Sequence, residues 1–158
     1  MTATDTGKDQ IMMSDLIVAR EVSEYSPDSQ PGFKRRDQIV VPQLSDTVSL
    51  GSPLVLYFEI YNLPIDIRSV TRYELTYELS FIEGSATGLK GLLENLWPGQ
   101  RESVSYTYRE GGRERNRQRR LSLDVSDLRP GRYELVVKVN DLIMGHSARK
   151  SIEMVLLP

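Results

Sequence analysis

The chain has 158 residues and a formal net charge of −2, with 39% hydrophobic and 27% charged residues. That size fits one domain with a core of its own, and so mild a charge supplies no global attraction to nucleic acid or to anionic membranes. There is no cysteine and a single histidine, His146, which excludes disulfides, thiolate catalysis, zinc–thiolate sites and any His-pair metal site. No apolar run approaches the ~20 residues of a membrane-spanning helix. Residues 1–10 are polar and lack the basic start and apolar stretch of a signal peptide, so they read as a disordered leader to a single domain over 11–158.

Taken in order, the segments alternate with the period of half-buried strands. Residues 11–20 read as a first strand. A long connection over 23–36 follows, with Pro27, Pro31 and Gly32, and then strands at 38–41 and 47–50. In 53–62, Leu54, Leu56, Phe58 and Ile60 share one face, and Val55, Tyr57, Glu59 and Tyr61 the other. In 72–81, Tyr73, Leu75, Tyr77, Leu79 and Phe81 alternate with Arg72, Glu74, Thr76, Glu78 and Ser80. Leu89, Leu92, Leu93 and Leu96 then fall at helical spacing before Trp97 and Pro98, which predicts one short inserted helix.

Alternation resumes with Val104, Tyr106 and Tyr108, and Gly111–Gly112 suits a tight hairpin turn. Leu121, Leu123 and Val125 form the next strand. Tyr133, Leu135, Val137 and Val139 follow Pro130–Gly131, and Ile152, Met154 and Leu156 form the last. About seven to nine strands with polar or Gly/Pro breaks indicate an all-β antiparallel sandwich.

The run 121–142, Leu-Ser-Leu-Asp-Val-Ser-Asp-Leu-Arg-Pro-Gly-Arg-Tyr-Glu-Leu-Val-Val-Lys-Val-Asn-Asp-Leu, resembles the end of an immunoglobulin or fibronectin III sandwich. In such folds a tyrosine near the start of the sixth strand hydrogen-bonds to backbone just upstream. The resemblance implies that Tyr133 does so here. Leu135 stands where antibody domains carry a cysteine, so no antibody-type disulfide is implied. A wider set of segments is similar to the C-terminal sandwich region of bacterial GWxTD-domain proteins: Ser14-Asp15-Leu16-Ile17, the runs 53–63 and 101–108, and 121–142. This similarity covers 11–157. The GWxTD motif itself is absent, since the only tryptophan is Trp97 in Leu96-Trp97-Pro98. The resemblance implies a piece cut from a longer exported protein, periplasmic or extracellular; a chain complete as it stands would be cytoplasmic. It implies no activity and transfers no functional residue.

Candidate chemistry is sparse. His146 lies in Met144-Gly145-His146-Ser147 and reads as a polar loop residue, with no Gly-x-Ser-x-Gly elbow to make it a catalytic base. Glu74 and Glu78 fall on one strand face some ~13 Å apart at ~3.3 Å per residue, beyond the ~5–9.5 Å of a glycosidase pair. Asp124, Asp127 and Asp141 lack the spacing of a calcium loop. Residues 113–120 carry five arginines against one glutamate. They read as a solvated, protruding hairpin arm facing Glu102 and Glu110, or else as a docking site for an acidic partner. Replacing Arg115, Arg117 and Arg119 there is expected to leave stability nearly unchanged.

Tyr57 and Tyr61 face away from Phe58 and Ile60, either outward for stacking on a ligand or beneath the inserted helix. Leu92, Leu93 and Trp97 suit an apolar interface patch. The expected function is a non-catalytic interaction or structural module. It has no catalytic, cofactor or metal residues, a protein partner, no nucleic-acid ligand and no membrane insertion. The residues expected to bind that partner are Tyr57, Tyr61, Leu92, Leu93, Trp97, Arg115, Arg117 and Arg119. The alternative is a carbohydrate- or small-ligand-binding sandwich that uses exposed tyrosines and loops.

Overall fold

The structure is a computed structural model that describes residues 10–24, 26, 27, 32–35, 37–83 and 102–158. Among these residues the chain is all-β, with eleven strands in two sheets. The expected helix over 89–97 lies outside the described residues. The strands are β1 (Met12–Met13), β2 (Ile17–Glu24), β3 (Phe33–Arg35), β4 (Gln38–Pro42), β5 (Thr47–Ser49) and β6 (Leu54–Tyr61). They continue with β7 (Thr71–Glu83), β8 (Ser103–Gly112), β9 (Arg117–Leu123), β10 (Gly131–Asp141) and β11 (Ser147–Leu157).

One sheet has the order β5-β11-β10-β7-β8. It is antiparallel except at its edge, where β5 runs parallel to β11 in the register Val155↔Thr47. The other sheet is built around β6. One edge of β6 pairs with β9, and the other with β1 and then β2, which leads on to β4 and β3.

The alternating faces read from sequence meet between these sheets. Leu54, Leu56, Phe58 and Ile60 of β6 join Tyr73, Leu75, Tyr77 and Leu79 of β7 in one buried cluster. Leu121 and Leu123 of β9, and Tyr133, Leu135, Val137 and Val139 of β10, complete its centre. Each such side chain withdrawn from water stabilises the fold by about 1.5–3 kcal/mol, so a slip of one residue would exchange this core for the charged face.

The N-terminal third departs from expectation. The single strand expected over 11–20 divides at Ser14, where Ser14 N donates to Glu59 O at 2.9 Å and Ser14 Oγ accepts from Glu59 N at 2.8 Å. The expected connection over 23–36 contains β3. A bulge between Ala19 and Glu21 turns the second half of β2. The β2–β4–β3 ribbon then rolls back over the outer face of β6. Gln118 Nε2 of β9 donates to Arg35 O of β3 at 3.1 Å, which joins the two ends of the sheet.

The glycine pair is also not a hairpin turn. Gly111 and Gly112 belong to β8, paired with Arg72 and Thr71 of β7, while the next strand, β9, lies in the opposite sheet. Gly111 is needed for close approach, because a Cβ there would sit 2.6 Å from Thr71 O. Gly145 does occupy a true turn, at φ 78°, between β10 and β11.

Tyr133, fully buried, donates from its hydroxyl to Arg129 O at 2.8 Å, the upstream backbone bond expected of it. Tyr133→Phe deletes that donor while keeping the ring. The expected loss of unfolding free energy is about 1–2 kcal/mol, read as a lower urea midpoint with unchanged slope; coincident midpoints would show that the bond contributes nothing.

Candidate functional site

The expected aromatic pair, Tyr57 and Tyr61, lies on the outer face of β6. Tyr57 is only 1% exposed and packs with Ala19, Val22 and Val40, the buried heart of the rolled ribbon. The cover expected from a helix is thus supplied by β2 and β4, and Tyr57 presents no outward surface. Tyr57 Oη donates to Glu59 Oε1 at 2.8 Å, and Tyr61 Oη donates to the other oxygen, Oε2. Glu59 is itself buried. The two phenols therefore serve to satisfy a desolvated carboxylate. Burial, reinforced by the Glu59 hydrogen bond, pushes Tyr57 well above the ordinary phenol range.

A second polar cluster lies between the sheets. Glu110 faces inward from β8 and Arg119 inward from β9, and they form an ion pair through Glu110 Oε1 and Arg119 Nη2. Tyr73 Oη donates to the second Glu110 oxygen at 2.8 Å. Inward placement follows from register, since Arg119 pairs with Phe58 and Glu110 with Tyr73, both core residues. Burial, then the Glu110 hydrogen bond, pushes Tyr73 up to about 12. Burial likewise pushes neighbouring Tyr77 up to about 12.

The basic run is therefore not a uniformly solvated arm. Arg113 is exposed, and Arg115 Nε donates to Leu63 O at 3.1 Å. Arg117 is half-buried, and Arg119 is 20% exposed. Replacing Arg115, Arg117 and Arg119 together would strip Glu110 of its counter-charge, so a loss of stability is expected in place of the near-neutral outcome read from sequence. The two acidic residues expected opposite the run part company. Glu110 meets Arg119, whereas Glu102 pairs with Arg129 at 2.8 Å, whose guanidinium lies 3.6 Å from the centre of the Phe81 ring.

Several other carboxylates are engaged in turns and at the surface. Asp66 Oδ1 accepts from Arg68 N and Val70 N, at 2.8 and 3.2 Å, and these bonds lower its pKa. Asp124 accepts from Ser126 Oγ at 2.6 Å and Ser126 N at 3.0 Å, with the same effect. Buried Asp141 accepts from Ile143 N and Met144 N at 2.9 and 2.6 Å, closing the turn that carries exposed His146. Glu74 accepts from Arg109 Nε at 3.2 Å. Among the described residues, no three His, Cys, Asp or Glu side chains gather as a metal site. No helix there is long and apolar enough to cross a membrane.

Two features went unread in the sequence. Tyr106 and Tyr108 have core-face parity, yet they are 38% and 47% exposed, and among the described residues β8 is a sheet edge. Their rings stack at 6.3 Å, and Tyr108 leans on Tyr77 at 5.6 Å, which makes a short aromatic shelf. The second is a cleft of about 360 Å³ where β2 and the 42–46 segment face β11, lined by Leu16, Val18, Leu44, Ile152 and Met154 among others. Alternation reports a residue's face but not whether a neighbouring strand follows. Leu92, Leu93 and Trp97 lie outside the described residues. No family model matches the chain, and no curated protein matches it.

The buried phenols make stability depend on pH in the alkaline range. Tyr73, Tyr77 and Tyr133 titrate at about 12 in the fold against 10.0 when free, each raised chiefly by burial. The folded state therefore holds these protons more tightly. Their contribution is complete below pH 10.0 and is lost as pH rises toward 12. Urea midpoints followed from neutral pH should stay level with respect to these groups up to that window and then fall. Tyrosinate absorbance from these three buried phenols should appear together with unfolding; midpoints that hold level through the window would contradict the assignment.

Proposed function

We propose that this chain is a non-catalytic interaction or structural module with an immunoglobulin or fibronectin III type of sandwich. The observation that carries the fold type is the edge strand β5 running parallel to the last strand, β11, in the sheet β5-β11-β10-β7-β8, together with the Tyr133–Arg129 bond. In this reading β5 to β11 are the seven strands of the basic sandwich, β1 extends the β6 sheet, and the β2–β4–β3 ribbon is an addition on its outer face. The segments quoted above for the GWxTD-domain resemblance support a module at the C-terminal end of a longer exported bacterial protein, periplasmic or extracellular.

The non-catalytic reading is supported by how the carboxylates are used. Glu59 is closed over by two phenols, Glu110 by Arg119 and Tyr73, and Asp141 by its own turn. A panel of chromogenic ester, glycoside and phosphoester substrates is expected to show no turnover above background. Turnover that vanishes in Glu59→Gln or Glu110→Gln, with the fold intact by circular dichroism, would overturn the proposal.

A second reading is a carbohydrate- or small-ligand-binding sandwich, favoured by the Tyr106–Tyr108 shelf in place of the buried Tyr57. Exposed phenols with near-parallel rings suit stacking on the apolar face of a sugar. Titrating oligosaccharides while following intrinsic fluorescence tests it: binding should be saturable and lost in Tyr106→Ser with Tyr108→Ser. Oligosaccharide binding indifferent to that double change would place the ligand elsewhere.

A further inference from the structure

The edge of β11 away from β10 is covered by β5 only over Val155–Leu157. Among the described residues no strand pairs with this edge over 147–154. Two hydrogen bonds fix which backbone groups it presents. Val155 N donates to Asp46 O, and Leu157 O accepts from Leu50 N, both at 2.8 Å on the β5 side. Backbone groups alternate along a strand, so Arg149, Ser151 and Glu153 direct their N–H and C=O to the same side. Those groups form an unfilled ladder.

The side chains along this ladder are arranged unusually. Within the sheet, Arg149 lies opposite Lys138, and Glu153 lies opposite Glu134. Like charges directly opposite destabilise a pair of strands. None of the four is in an ion pair with another described residue. A cationic pair and an anionic pair thus sit on either side of Ser151, which lies opposite Val136.

This pattern is complementary to itself. We infer that a second copy of this chain docks on the β11 edge, antiparallel about a two-fold axis at Ser151, to form one continuous sheet across the dimer. In that register Arg149 lies opposite Glu153 of the second copy, Glu153 opposite its Arg149, and Ser151 opposite its Ser151. All three are the residues whose backbone groups point to the edge, so about six inter-strand hydrogen bonds form without any register shift. Arg149 and Glu153, which each face a like neighbour within their own sheet, each gain an opposite neighbour across the axis. The arrangement is isologous and closes at two copies.

The ends of the edge fit as well. Leu44, 99% exposed, lies beside the Glu153 end, and Met144, 63% exposed, lies beyond the Ser147 end. Two-fold pairing brings each next to the other's counterpart. The joined edge also narrows the cleft above half-buried Ile152. This inference rests on the edge geometry alone, so its failure leaves the non-catalytic module reading standing.

Sedimentation velocity of the 158-residue chain over a range of concentrations tests it. A reversible monomer–dimer equilibrium is expected, stronger at low salt. Arg149→Glu or Glu153→Arg alone should raise the dissociation constant by roughly tenfold or more, the equivalent of ~1.4 kcal/mol. The double exchange Arg149→Glu/Glu153→Arg restores complementarity and should return the constant to near its original value. Each single exchange also removes a like-charge pair inside the sheet, so the urea midpoint should hold or rise. Ser151→Pro removes an N–H that points only to the free edge and should abolish the dimer with the strand content of circular dichroism retained. A chain that stays monomeric throughout, or a dimer indifferent to these changes, or one not rescued by the double exchange, would overturn the inference.

Discussion

β6 has both edges paired and six of its eight residues buried, and the rest of the molecule is arranged around that constraint. Both its edges are paired, one with β9 and the other with β1 and β2. Its inner side chains enter the core between the sheets, and its outer face is covered by the rolled β2–β4 ribbon. A strand enclosed in this way cannot carry a charge without partners, since an unpaired buried carboxylate costs several kcal/mol. Glu59 is therefore met by the Tyr57 and Tyr61 hydroxyls, and its own backbone N–H is taken by Ser14 Oγ. Polar satisfaction and apolar packing hold the N-terminal strands in place together.

Where the two sheets part at β8 and β9, polar contacts replace the apolar seam. The chain crosses from one sheet to the other between Gly112 and Arg117, and the Glu110–Arg119 pair sits just inside the crossing. Tyr73 completes that pair from the next strand. Nearer the other end, Arg129 joins Glu102 while lying over the Phe81 ring. Such bonds specify a geometry that apolar packing alone leaves open, because a carboxylate and a guanidinium accept few alternative partners.

The sheet edges are treated differently, which bears on function. β8 is flanked by the tyrosine shelf, whose phenols cover the margin of the core. β11 carries charges, with Lys150 tied to Asp15 at 3.0 Å across the mouth of the sandwich. Edge charges ordinarily discourage pairing with other chains. In the dimer we infer, charges paired with like neighbours and mirrored about Ser151 would discriminate instead between one register and all others.

Much of the fold was legible in the residues. Period-two alternation in 54–60, 73–79 and 133–139 identified the core faces without error, because burying one face is what makes a strand amphipathic. Tyr133 was legible from its Pro130–Gly131 context. Other features required the tertiary structure. Alternation says which side chains share a face, not what lies over that face. Tyr57 accordingly read as either outward or beneath a helix, whereas the β2–β4 ribbon buries it, and the parity of Tyr106 did not tell that β8 is a sheet edge among the described residues. The glycine pair carried the chemistry of a turn but serves close strand approach, a distinction set by Thr71 O across the ladder. Arg119 was indistinguishable in sequence from its exposed neighbours. Only the register of β9 against Phe58 turned it inward to Glu110, since an arginine's environment is fixed by distant strands and not by the residues beside it.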